Sequence, residues 1–104
     1  MIALCATLAV AQQSDPDQLL KTAISEQQGG DYRAAIRDYR KVLELRPNLV
    51  EAKVNLAAAL VHVGEYDTPI AMYRSALPAL SFKNPVLLNL DLAYYKKGNF
   101  ENAR

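Results

Sequence analysis

Three glycines recur along the chain at equal intervals, and an aromatic residue follows each of them two positions later. The pairs are Gly30 with Tyr32, Gly64 with Tyr66 and Gly98 with Phe100. Because the chain has only 4 glycines, chance is a poor explanation for three of them in register. Such a regular spacing is typical of proteins in which similar units stack on one another. The spacing therefore predicts a repeat architecture.

Aligning the chain on these glycines gives two complete units, residues 16–49 and 50–83, and an incomplete third unit, residues 84–104. Each complete unit reads as two helices joined by a tight turn at its glycine, because apolar residues recur at helical spacing on both sides. In the segment Tyr32–Leu45 they occupy i, i+3, i+4, i+7, i+10 and i+11, which is a single helix face. No segment alternates as a strand would. The pattern predicts an all-α chain.

Local signals add three expectations about individual helix ends. Asp67 is placed to cap the second helix of the second unit. Pro78 should end or kink that helix near Leu77, because proline lacks an amide proton and clashes with the preceding turn. In the third unit we expect the first helix to end at Lys97, immediately before the third glycine.

The spacing and the residues resemble those of the tetratricopeptide repeat (TPR) family, whose repeat unit is as long as the interval between the glycines. In the first unit the family's characteristic positions hold Ala23, Gly30, Tyr32, Ala35, Tyr39 and Pro47. In the second unit they hold Ala57, Gly64, Tyr66, Tyr73 and Ala76. The resemblance implies a right-handed α-solenoid of antiparallel helix pairs with about 2.5 units. Glu26 departs from the family pattern, because an apolar core residue is usual there, so we expect looser packing of the first helix.

The resemblance also implies a place for partner binding. TPR proteins bind partners in a concave groove that is lined by the first helix of each unit. Carried onto this chain by position, the candidate partner-binding residues are Lys21, Gln28, Asn55, His62, Asn89, Tyr95 and Lys96. Most of these side chains donate or accept hydrogen bonds, and an asparagine does both, which suits contact with a peptide backbone.

Residues that could carry out chemistry are scarce, with 1 His and 1 Cys in the whole chain. His62 has no nucleophile or carboxylate in its local pattern, so we expect no catalytic site, and the chain is predicted not to be an enzyme. We expect no metal site and no cofactor either. Arg33, Arg37 and Lys41 form a basic row on one helix face, but nearby carboxylates indicate a mixed, solvated surface. A net charge of +1 gives no field that would attract nucleic acid.

The N-terminal segment, residues 1–11, is uncharged and ends in Ala9-Val10-Ala11. Small residues at −3 and −1 after a short apolar stretch are typical of a signal-peptide core, here with cleavage after Ala11, although no basic segment precedes the core. The run is too short to span a bilayer as a helix, so we expect no stable membrane span. We therefore expect export to the periplasm or the extracellular space. The alternative is a short apolar helix packed on the first unit of a cytoplasmic protein.

The function that the resemblance implies is a protein–protein interaction scaffold, with a peptide or protein partner in the groove. The alternative is an N-terminal TPR scaffold segment of a longer protein with a downstream effector or catalytic domain. Arg104 falls inside a predicted helix, so we expect the chain to be a fragment. Leu87, Leu90 and Tyr94 would then lack the helix that should cover them, and we expect self-association through the incomplete third unit.

Overall fold

The computed structural model describes residues 15–103, and within that range the chain forms five α-helices and no β-strand. The helices are α1 (Pro16–Gln28), α2 (Tyr32–Leu45), α3 (Val50–His62), α4 (Asp67–Ala76) and α5 (Asn84–Ala103). Each packs on its neighbour in the chain, and the connections are short, so the helices form successive pairs. The predicted all-α fold of stacked helix pairs is confirmed. The predicted signal-peptide core, residues 1–11, lies outside the described residues and stays a prediction.

The first two helices begin at aspartates that cap them. The carboxylate of Asp15 accepts hydrogen bonds from the backbone N–H groups of Asp17 at 3.0 Å and Gln18 at 3.4 Å. Asp31 accepts from the N–H of Ala34 at 3.3 Å. The first N–H groups of a helix have no partner within it, so each cap satisfies donors that water would otherwise have to serve.

The first two periodic glycines form the turns within the helix pairs. Gly30 has φ 86° and Gly64 has φ 87°, a left-handed conformation that glycine adopts without the clash a side chain would cause. After α1, the N–H of Asp31 donates to the carbonyl of Glu26 at 2.8 Å, and the N–H of Gly30 donates to Gln27 at 3.1 Å. The same pair of bonds recurs after α3. This is the Schellman arrangement, and it satisfies the last carbonyls of each helix.

The third periodic glycine does not form a turn, and the predicted end of the helix at Lys97 is wrong. Helix α5 continues through Gly98 to Ala103. Gly98 is not among the glycines with positive φ, and a Cβ atom built on it would meet nothing within 4 Å. A single glycine inside a helix costs only about 1 kcal/mol, which the backbone hydrogen bonds of a continuous helix outweigh.

The two expectations for α4 have different outcomes. The helix ends at Ala76 and passes into a short 3₁₀ turn, Leu77–Ala79, so the predicted effect of Pro78 is confirmed. The predicted cap is wrong, because Tyr66 is the residue at the N-cap position and it makes no capping side-chain hydrogen bond. Asp67 is instead the first residue of the helix, and its carboxylate lies 2.6 Å from the Nζ atom of Lys97 on α5.

Two apolar clusters form the core, and α3 contributes to both. The first cluster joins α1, α2 and one side of α3 through residues that include Ala23, Tyr39 and Leu60. The second joins the other side of α3 to α4 and α5 through residues that include Val61, Ile70, Tyr73, Val86, Leu90 and Ala93. Met72 packs against both clusters. Each helix pair thus depends on its neighbour for burial.

Candidate peptide-binding groove

The first helices of the successive pairs lie beside one another. In addition to the contacts between chain neighbours, α1 contacts α3, and α3 contacts α5. The second helices, α2 and α4, pack less closely on each other. The arrangement places α1, α3 and α5 on one face of the described part of the chain, as a groove lined by first helices requires.

Three of the predicted partner-binding residues line one cleft between α3 and α5. These are His62, Asn89 and Lys96, and the apolar side chains of Val61 and Leu92 lie between them. The cleft has a volume of about 100 Å³, and His62 and Lys96 also border a wider, more open depression toward the turn between α3 and α4. No carboxylate lines the cleft. Its polar groups therefore suit a partner that offers carbonyl or carboxylate oxygens.

The other four predicted residues lie elsewhere. Lys21 and Gln28 are exposed on α1, and Asn55 is half-buried on α3. Tyr95 is 66% exposed on α5 and does not line the cleft. Contact between any of these residues and a partner stays a prediction, and the same holds for the three residues that share the cleft.

Asn55 and Asn89 each hydrogen-bond to a buried tyrosine of the preceding helix. The hydroxyl of the fully buried Tyr39 donates to Oε1 of Gln27 and also bonds to the amide of Asn55. Burial raises the pKa of Tyr39 to about 12, and the hydrogen bond from Asn55 opposes part of that rise. Burial likewise raises the pKa of Tyr73 to about 12, and the interaction with Asn89 opposes part of that rise. Both asparagines therefore interact with a tyrosine of the same chain whether or not a partner is bound.

The ring of His62 is stacked on the ring of Tyr32. The ring centroids are 4.2 Å apart, and the planes differ by 5°. Because Tyr32 begins α2 and His62 ends α3, the stack fixes the orientation of the imidazole at the rim of the groove. In the part of the chain that the structure describes, no carboxylate or nucleophile hydrogen-bonds to His62.

The apolar residues of the cleft are absent from the predicted set. They include Ala58, Val61 and Leu92, together with the ring of Tyr73. Ala58 and Leu92 are separated by one full repeat period and so hold the same position in their units. The repeat period could have identified this pair. The predicted set was chosen mainly for polar side chains, and it therefore left out the apolar surface that a side chain of a bound peptide would cover.

Two carboxyl groups meet where α1 packs on α2. A hydrogen bond with Asp38, and then burial, raises the pKa of Glu26 to about 7. Oε1 of Glu26 is buried without a donor, so a proton on this carboxyl group would supply the missing hydrogen bond to Asp38. Arg37 lies nearby, with 3.7 Å from Nη2 to Oε2 of Glu26 and 3.3 Å from Nε to Oδ1 of Asp38. Neither carboxyl group borders the cleft between α3 and α5.

Helix α5 has one buried and one exposed apolar face. Val86, Leu90 and Ala93 are buried in the second cluster. The expectation that Leu90 lacks a cover is therefore wrong, since α4 and α3 cover it. The exposed apolar side chains of this helix include Leu87, Leu88, Leu92, Tyr94 and Tyr95, and Leu88 is 69% exposed. An exposed apolar area of this kind is typical of an interaction surface.

Within residues 15–103, no three or more histidine, cysteine, aspartate or glutamate side chains are grouped so that they could hold a metal ion. None of the helices α1 to α5 combines the length and the hydropathy that a membrane span requires. The groove itself consists of hydrogen-bonding groups around apolar side chains, which is a surface for recognition.

Comparison with known proteins identifies the repeat. The model of the tetratricopeptide repeat family matches residues 25–49. The chain is similar to "Photosystem I assembly protein Ycf3" of Synechococcus sp. (strain WH7803), with 31% identity over 81 residues, 75% of this chain and 47% of the relative. The protein of the same name from Prochlorococcus marinus subsp. pastoris is 31% identical over 83 residues, 77% of this chain and 48% of the relative. The chain thus spans about half the length of these relatives.

Proposed function

Because the chain belongs to the tetratricopeptide repeat family, we propose that it is a non-enzymatic scaffold that binds a peptide or a protein segment in the groove formed by α1, α3 and α5. The observation that carries the proposal is the shared cleft in which His62, Asn89 and Lys96 surround the apolar side chains of Val61 and Leu92. Hydrogen-bonding groups around an apolar floor bind an extended peptide by its backbone and by one apolar side chain.

The experiment that tests this proposal starts from a displayed library of random peptides, selected on the purified chain. The dissociation constant of a selected peptide is then measured by calorimetry for the wild type and for Leu92→Asp and Lys96→Glu. We expect each substitution to weaken binding by about tenfold or more, since it places a carboxylate against the bound peptide. Lys83→Glu, an exposed change in the connection before α5, is the control. Selected peptides that bind all variants equally would place the binding site elsewhere.

The relatives support a broader role in the assembly of protein complexes. Their name describes assembly of photosystem I, and we propose for this chain only the general part of that role, which is holding partner proteins together. The alternative function is that of an N-terminal TPR scaffold segment of a longer protein with a downstream effector or catalytic domain. The gene sequence beyond the codon for Arg104 separates the two, because an α/β pattern with catalytic motifs there would favour the alternative.

We also propose that the exposed apolar face of α5 supports self-association. Leu87, Leu88 and Tyr94 are exposed along it, although an apolar face of a repeat helix is normally covered by the next helix. A second copy of the chain offers the same apolar surface, and two such helices can bury their faces against each other.

Export is the proposed localisation, and it rests on the composition of residues 1–11. The test is to express the chain with a C-terminal tag in a bacterium that has a periplasm and to sequence the N-terminus of the recovered protein. A mature protein that begins at Gln12 and is released with the periplasm is the expected result. An uncleaved, cytoplasmic protein would support the alternative of an apolar N-terminal helix.

A further inference from the structure

A second cleft lies on the outer side of the helix pairs, between α2 and the end of α3. Its volume is about 410 Å³. Ile36, Leu60 and Val63 form an apolar floor, and all but Val63 are buried. The wall that α2 contributes carries four cationic side chains, Arg33, Arg37, Arg40 and Lys41. Two carboxylates also line the cleft, Glu44 on α2 and Glu65 in the turn between α3 and α4.

The four cations converge because of their spacing on α2. Arg33, Arg37, Arg40 and Lys41 stand at i, i+4, i+7 and i+8, so at 100° per residue they fall within about 100° of the helix circumference. Arg37 is engaged with Glu26 and Asp38. Arg33, Arg40 and Lys41 have no ion pair within residues 15–103, and neither Glu44 nor Glu65 lies within 4.0 Å of them. The fold therefore leaves three of the four charges unmatched.

This cleft is distinct from the groove between α3 and α5. Leu60 of α3 lines the outer cleft, whereas Ala58, Val61 and His62 line the groove. Val63, which follows α3, borders both the outer cleft and the open depression beside His62 and Lys96. Successive residues of an α-helix are rotated by about 100°, so Leu60 points in nearly the opposite direction from Ala58 and His62 about the helix axis. The protein can therefore bind one segment on each side of α3.

We propose that the outer cleft binds an acidic peptide segment of a partner protein. Carboxylates of the segment pair with Arg33, Arg40 and Lys41, and one of its apolar side chains covers Ile36 and Val63. Arginine matches carboxylate geometry with its planar fork of donors, and the apolar floor selects a side chain rather than a free anion. A nucleic acid fits less well, because no aromatic ring lines the cleft for base stacking and two carboxylates would face the phosphates.

The test uses fluorescence anisotropy with a labelled peptide in which glutamates alternate with leucines. The same peptide with glutamine in place of every glutamate is the matched probe without charge. We expect the acidic peptide to bind, with an affinity that falls as salt is raised, and the glutamine peptide to bind at least tenfold more weakly. Unlabelled oligo(dT) and inorganic phosphate are added as competitors, and neither is expected to displace the acidic peptide at concentrations equal to that of the peptide.

The variants locate the site. Arg40→Glu is expected to weaken binding of the acidic peptide by about fivefold or more, because repulsion replaces attraction. The double variant Arg33→Glu with Arg40→Glu is expected to weaken it by about twentyfold or more. Lys83→Glu makes the same charge change as the single variant at an exposed position outside the cleft, and it should change binding less than twofold. All substituted side chains are exposed, and circular dichroism with a thermal melt confirms that each variant is folded.

Three results would overturn the proposal. The first is equal binding of the acidic peptide by the wild type and the double variant, or no binding by the wild type. The second is displacement by oligo(dT) or phosphate, which would assign the cations to nucleic acid or to free anions. The third is competition between the acidic peptide and a peptide selected for the groove, because separate sites on α3 predict that both bind at once. This last measurement also separates the outer cleft from the groove, since either site can fail without the other.

Discussion

Glu26 shows how one residue that departs from the repeat pattern changes the electrostatics between two packed helices. Its position is usually apolar in this family, and here its carboxyl group meets that of Asp38 between α1 and α2. Arg37 offsets part of the repulsion, whereas Asp31 adds to it. The raised pKa of Glu26 means that the folded chain holds a proton that the unfolded chain releases near pH 4.5.

We predict that the chain becomes less stable as the pH rises from about 5 to about 8. A carboxyl group with a raised pKa contributes its full stabilisation below its unfolded pKa, and the contribution is lost as the pH passes through the folded value of about 7. Glu26→Gln stays neutral and can still donate to Asp38, so its melting temperature should exceed that of the wild type at pH 8 by about 4–8 °C, or about 1 kcal/mol. Melting curves of both proteins between pH 5 and pH 8 check this. If the difference in melting temperature between the two proteins were the same at every pH, Glu26 would not titrate in this range.

Position in the repeat pattern alone does not show what the side chains of the asparagines of α3 and α5 contact. Asn55 follows Tyr39 at the same separation along the chain as Asn89 follows Tyr73. That repetition was available in the sequence as a signal of a tyrosine–asparagine pair. Its physical meaning depends on the burial of the tyrosine hydroxyl, which arises only when three helices pack together. The family pattern located the side chains, but it did not distinguish a partner contact from a structural hydrogen bond.

The periodic glycines give a controlled comparison at the scale of elements. Gly30 and Gly64 are predicted to form turns and do so. Gly98 holds the equivalent position in the third unit, but it lies inside α5. In the first two cases the next helix packs back on the one before it, and that packing stabilises the turn. Around Gly98 the backbone is helical, and Lys97 and Phe100 on either side of it contact Asp67 and Tyr66 at the start of α4. The local motif therefore predicted a capacity to turn, and the structure shows a turn only at the two glycines with positive φ.

We predict opposite effects for the same substitution at two of these glycines. Gly98→Ala should stabilise the chain by about 0.5–1 kcal/mol, because alanine loses less backbone entropy in a helix and its Cβ atom meets nothing within 4 Å. Gly64→Ala should destabilise it by about 1–2 kcal/mol, because a side chain is strained at φ 87°. Chemical denaturation of both variants measures the change in the free energy of unfolding. Destabilisation by Gly98→Ala would indicate that Gly98 forms a turn in solution.

At the scale of the whole molecule, the apolar face of α5 is the surface through which we expect copies of the chain to associate. Leu88 and Tyr95 are exposed on it and remain so unless another surface covers them. The family pattern led to the expectation of exposed apolar residues on this helix. Of the three apolar residues expected to be uncovered, Leu87 and Tyr94 are exposed and Leu90 is buried. The family pattern could not separate them, because the side of α5 that α4 covers depends on the packing of Leu90 and Ala93.

We predict that the wild-type chain forms dimers or larger species as its concentration is raised, and that Leu88→Lys reduces this association at least tenfold. Light scattering coupled to size-exclusion chromatography over a hundredfold range of concentration measures the effect. Leu45→Lys is the matched control, because Leu45 is an exposed leucine at the end of α2. A wild-type chain that stays monomeric throughout, or an equal loss of association in both variants, would contradict the prediction.

Because α3 contributes side chains to both apolar clusters, opening either cluster alone leaves this helix packed on the other. The chain can therefore lose structure from its two ends inward, with α1 or α5 detaching while the middle persists. Amide hydrogens near Leu56 and Leu60 should exchange with solvent at least tenfold more slowly than those of α1 and of the last turns of α5. Hydrogen exchange followed by mass spectrometry tests the order, and uniform exchange along the chain would mean that the two clusters open as one unit.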